Sequence, residues 1–133
     1  EYYKLIRDVK KVLPISKEIN RAIIETYEYL QTIPTEKGRQ KHLKAVEKGL
    51  QEQYTPRMKK LSFSQGKLLI KLVDRQTHST SYELVKAFMG PFKAGFYQTF
   101  AALFGASLKK EYDPLGEDKL TERVVLLVEN GQI

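Results

Sequence analysis

The chain contains no cysteine. That removes disulfides, thiolate zinc sites and cysteine nucleophiles, while leaving the compartment open. Histidine is nearly as scarce: His42 and His78 are the only two, and they lie far apart in the chain. Metal sites need clustered ligands, so no metal and no cofactor are expected. Long hydrophobic runs are missing too. The richest stretch, residues 92–106, is shorter than the ~18 apolar residues that span a bilayer and holds Lys93, so no transmembrane segment is expected. No five like charges stand in a row, and no strand pair carries a hairpin signal.

What is present suits one compact domain. The chain has 133 residues, 41% apolar and 29% charged, enough to bury a core without covalent or metal staples. It begins at Glu1 rather than methionine. The expectation is a single helical domain over residues 1–133, with the N-terminal part of the full-length protein missing. The formal charge of +7 is uneven: residues 1–60 carry 14 Lys/Arg against 8 Asp/Glu, and residues 61–133 carry 9 against 8. A basic first half can attract an anionic polymer, although a solvated surface of mixed charge is the plainer reading.

Apolar spacing predicts helices throughout. In residues 1–33 the stripe is Leu5, Val9, Val12, Ile15, Ile19, Ala22, Ile23, Thr26, Leu30 and Ile33. Pro14 should kink or divide this helix, and Pro34 should stop it. Thr35 is positioned to cap a second helix, whose stripe of Leu43, Val46, Leu50 and Tyr54 is thin; thin stripes mark surface helices. Thr55 and Pro56 should interrupt it. Ser64 is the expected cap of a third helix over residues 65–76. There Leu68, Leu69, Ile70, Leu72 and Val73 form a broad apolar arc, and Lys67, Lys71, Asp74 and Arg75 a narrow polar strip facing water or a cleft.

A short helix over residues 82–89 follows, with Thr80 and Glu83 at capping-box spacing. Residues 92–106 place Phe92, Phe96, Phe100 and Phe104 opposite Gly95, Ala101 and Gly105, as befits a central buried helix. Residues 109–119 form a loop with turn chemistry at Pro114 and Gly116. Asp118 can cap a last helix with Leu120, Val124, Leu127 and Val128 on one face, stopped at Asn130 and Gly131. Residues 123–130 could instead be a short strand, but have no evident partner. The expected fold is all-α: a single compact domain of about six helices around a central Phe/Ala/Gly-rich one.

Chemistry is sparse. Asp74 and His78 are spaced i,i+4 beside Ser79 and Ser81, the outline of an activated nucleophile. A helix C-terminus that favours a protonated imidazole explains the same residues. Glu111, Asp113, Glu117 and Asp118 lack the alternation of a calcium loop and read as a turn and a cap. Ser62, Ser64, Gly66 and Lys67 could hold an anion at a helix start, without P-loop spacing. Lys41, Lys44 and Lys48 share one helix face, but Glu36 and Glu47 dilute it, and no helix-turn-helix or stacking motif accompanies them.

The phrases "IRDVKKVLPISKEI", "LSFSQGKLLIKLVDRQT" and "SYELVKAFMGPFKAGFYQTFAALFGASLKKEYDP" resemble a Bacteroidetes family catalogued as a domain of unknown function, number four-two-nine-four. The resemblance covers nearly the whole chain. It implies an exported, periplasmic or cell-envelope location, which counts against nucleic acid as partner, and it supplies no catalytic residue. The leading expectation is a non-enzymatic helical interaction module for a protein or another envelope component. Its candidate polar cleft comprises Gln65, Lys67, Lys71, Asp74, Arg75, Tyr112 and Asp113. A hydrolase-like enzyme using Asp74 and His78 or the acidic loop at residues 111–113 is the alternative. Anionic-polymer binding by the basic N-terminal half is a third.

Overall fold

The computed structural model describes residues 1–79, Gln98, Ala101, Ala102 and 112–133, with backbone only for 77–79. Every regular element among them is helical: α1 (Tyr2–Leu30), α2 (Glu36–Lys59), α3 (Phe63–Ser79) and α4 (Lys119–Glu129). Four helices are thus bounded among the described residues, against about six expected for the whole chain. Two of the expected six, at residues 82–89 and 92–106, fall almost wholly outside the described residues; Gln98, Ala101 and Ala102 are helical. Residues 123–129, weighed as a strand, are part of α4.

α1 is the spine, touching α2, α3 and α4. Val9, Val12, Ile19 and Ile23 are all but fully buried along it, and each such side chain contributes ~1.5–3 kcal/mol on leaving water. Ser16 and Thr26 are buried among them, their hydroxyls donating to the Leu13 and Ala22 carbonyls at 2.7 Å. The helix runs unbroken through Pro14, and α2 likewise runs through Pro56 to Lys59. Neither proline divides its helix as expected. Both rings are exposed, as are Lys10 and Glu52 four residues earlier, so the carbonyls that lose an N–H partner lie where water can replace it. α1 ends at Leu30, just ahead of Ile33, where a following proline disfavours helical geometry.

Thr35 caps α2 as expected, accepting the Gly38 N–H at 3.1 Å. α2 buries only Leu50, Tyr54 and Met58, so it lies on the surface. Arg57 clasps it to Glu18 of α1 at 2.6 Å. The cap of α3 is Ser62, not Ser64. Its hydroxyl accepts the Gln65 N–H at 3.2 Å while the Gln65 side chain accepts the Ser62 N–H at 3.1 Å. This reciprocal capping box outcompetes a lone serine. α3 also continues past Gln76 to Ser79. Leu69, Ile70, Leu72 and Val73 join the core from it.

α4 ends in a Schellman turn. Gly131 has φ +70°, and Gln132 and Gly131 N–H bond to Leu127 and Val128 carbonyls at 2.9 and 3.1 Å. Its buried residues are Val124 and Val125, whereas Leu120 is 51% exposed. The inward face is therefore rotated from the expected one. Glu122 and Glu129 have to reach Arg75 on α3, and that rotation carries Leu120 into solvent.

Candidate functional site

Beyond Lys67, the polar strip of α3 is turned away from bulk water. Lys71 is 8% exposed and Asp74 1%, because α4 and the turn before it lie over them. Lys71 Nζ donates to Asp118 Oδ1 at 2.5 Å. One turn further along both helices, Arg75 Nε and Nη2 donate to Glu122 Oε1 and Oε2 at 2.8 and 3.1 Å. Parallel N–H···O bonds of this kind are the strongest geometry an ion pair offers. Glu129 extends the ladder, 3.4 Å from Arg75 and 2.6 Å from Lys17 of α1.

The turn supplies backbone donors. Asp74 Oδ2 accepts the Tyr112 N–H at 2.6 Å, and Asp118 Oδ2 accepts the Asp113 N–H at 2.9 Å. Asp118 thus occupies the cap position of α4, but its side chain makes no cap bond; it is committed to Lys71 and Asp113. Gly116 lets the chain fold tightly here, since a Cβ would run into the Asp113 carboxylate. The Tyr112 hydroxyl donates to Glu122 Oε1 at 3.0 Å, so Arg75 and Tyr112 meet on one carboxylate.

Electrostatics follow from those partners. The Arg75 guanidinium holds the Glu122 carboxyl below its ordinary value, against an opposing contribution from burial. Burial, then the bond to Glu122, pushes the Tyr112 phenol well above the usual tyrosine range. Glu122 in turn raises the affinity of Arg75 for its proton. A general acid or base works best with a pKa near the operating pH; these shifts drive Glu122 and Tyr112 the other way.

Lys71, Asp74, Arg75, Tyr112 and Asp113 of the candidate cleft are thus brought together in one network. Gln65 and Lys67 are not part of it. Gln65 Nε2 donates to the buried Asp8 on α1 at 3.0 Å, beside Lys4, which reaches Ser64 Oγ at 3.0 Å. Lys67 is exposed on an open groove of about 380 Å³. Lys4, Leu5, Phe63, Leu68 and Lys71 also line it. The side chains of His78 and Ser79, together with Ser81 and Glu111, lie outside the described residues.

Glu122 and Asp8 were not singled out from sequence. For Glu122 a signal existed: Lys71 and Arg75 are four apart, and so are Asp118 and Glu122. Two helices with matched i,i+4 charges of opposite sign can align rung to rung. Asp8 carried no comparable mark. Among the described residues no three imidazole or carboxylate side chains gather to hold a metal ion, and no helix is long and apolar enough to cross a membrane.

No curated protein and no solved structure matches the chain significantly. A family model does match, over residues 1–127, and the chain belongs to that family, described as a domain of unknown function (DUF4294).

Proposed function

We propose that the chain is a non-enzymatic helical interaction module of the cell envelope, in which the α3–α4 charge ladder is internal scaffolding and the exterior meets the partner. One observation carries this reading: the Lys71–Asp118 and Arg75–Glu122 pairs set the cleft's own charges against each other. Side chains held this way stabilise a geometry. The hydrolase alternative would need a nucleophile or water to reach Asp74, whereas Asp74 is 1% exposed. The envelope location rests on the family resemblance and on nothing in the fold.

Crosslinking through surface amines in the native cell, read by mass spectrometry, tests partner and compartment together. The expected result is recurrent crosslinks from exterior lysines to one envelope component, with none from Lys71. A Lys71→Met variant that keeps full stability yet abolishes a measurable turnover would overturn the reading.

A further inference from the structure

The excess positive charge of the first half is not spread evenly over its surface. On α2, Lys37, Lys41, Lys44 and Lys48 recur at i, i+4, i+7 and i+11, and all four are exposed. At 100° per residue they fall within about 60° of arc, and at 1.5 Å per residue they extend over about 16 Å. The result is a straight row one lysine wide, with a charge roughly every 5.5 Å. None of the four makes an ion pair with a described residue.

The acids that dilute this helix in the sequence are placed elsewhere. Glu36 is bound to Arg39 and Gln40 at 2.9 and 3.0 Å, and its carboxyl is held below its ordinary value by those two partners. Glu47 is half-buried, about 90° round the axis from the row. Only Glu52 approaches the row, one turn beyond its end. Like charges at i,i+3 and i,i+4 oppose helix formation, so the row works against the stability of the helix that carries it.

From this we infer that the Lys37–Lys41–Lys44–Lys48 face of α2 binds a linear acidic polysaccharide. The inference rests on the interaction-module reading and names the partner's chemistry. A one-residue-wide line complements a chain of spaced anions better than it complements a plane. Lysine is a compact, hydrated point charge that pairs with sulfate, carboxylate or phosphate without demanding bidentate geometry. Single-stranded nucleic acid would call for aromatic side chains on which bases stack, and the row and its neighbours Gln40, Ala45, Gln51 and Glu52 offer none. A lipid surface would call for apolar side chains to insert, and none of the exposed large apolar residues lies on α2.

The test compares wild type with a row variant (Lys37→Gln, Lys41→Gln, Lys44→Gln and Lys48→Gln together) and a control of equal charge loss on α1 (Arg7→Gln, Lys10→Gln, Lys11→Gln and Arg21→Gln together). Affinity for heparin is measured against salt, alongside an oligothymidylate and vesicles of mixed phosphatidylglycerol and phosphatidylcholine. Each neutralised anion contributes ~0.7–0.9 to the slope of log affinity against log salt. The row variant should therefore lose about three units of slope, and the control less than about one. Heparin should bind more tightly than the other two at equal anion concentration. Equal losses in the two variants would reduce the effect to net charge and overturn the assignment, as would preference for the oligonucleotide or vesicles. Either outcome would leave the crosslinking result intact, so failure of this inference is distinguishable from failure of the module reading.

Discussion

Removing the ammonium from the Lys71–Asp118 pair should take away a large share of the stability. Asp118 is 4% exposed and Lys71 8%, with Nζ and Oδ1 2.5 Å apart. In Lys71→Met the stem is replaced by a chain of similar length, so little packing is lost. What remains is a buried carboxylate whose one other described polar contact is the Asp113 N–H. Stranding one partner of a buried pair costs about 3–5 kcal/mol, whereas an exposed pair is worth ~0–1 kcal/mol. Against a total stability of ~5–15 kcal/mol for a domain of this kind, the difference is easily read by urea unfolding. Adding Asp118→Asn should restore about half or more of the loss, because a neutral amide needs no counter-charge. A Lys71→Met cost below ~1 kcal/mol, with no recovery in the double variant, would show the pair to be solvated and the scaffold argument wrong.

Three further outcomes follow from the same geometry. The folded Glu122 carboxyl titrates below its ordinary value of 4.5, so its contribution is complete above that value and lost as pH falls through the lower folded one; Glu122→Gln should flatten the acid limb of a stability–pH curve, and an unchanged limb would count against the Arg75 bond. Ser62→Ala should cost ~0.5–2 kcal/mol through loss of the capping box, and Ser64→Ala less; the reverse order in thermal melts would overturn the cap assignment. Gly131→Ala should cost about 1 kcal/mol because a Cβ disfavours its positive φ, and a neutral result would mean the Schellman turn is frayed.

The helical architecture was legible because its causes are local. Spacing along α1, the Thr35 cap and the Gly131 stop each depend on residues within a few positions of one another. The prolines misled because their effect depends on which way the deprived carbonyl faces, and only the packed fold decides that. The α3 strip misled for a related reason. Lys71, Asp74 and Arg75 have a polar periodicity equally suited to water, to a ligand and to another helix, and their partners lie 38–47 positions away in the chain. Ser62 was legible in principle, since Gln65 stands at capping-box spacing from it. The Phe-rich segment falls almost wholly outside the described residues, so its expected central position rests on sequence alone.

Amide hydrogen exchange at Tyr112 and Asp113 tests the inward-facing ladder most directly. Both precede α4 in irregular backbone, and their N–H groups are held by the Asp74 and Asp118 carboxylates at 2.6 and 2.9 Å. If those carboxylates are locked against the turn, both amides should exchange only through openings nearly as costly as global unfolding. Exchange close to the rate of an unstructured peptide at either position would mean that the strip is open to solvent and free to act as a site.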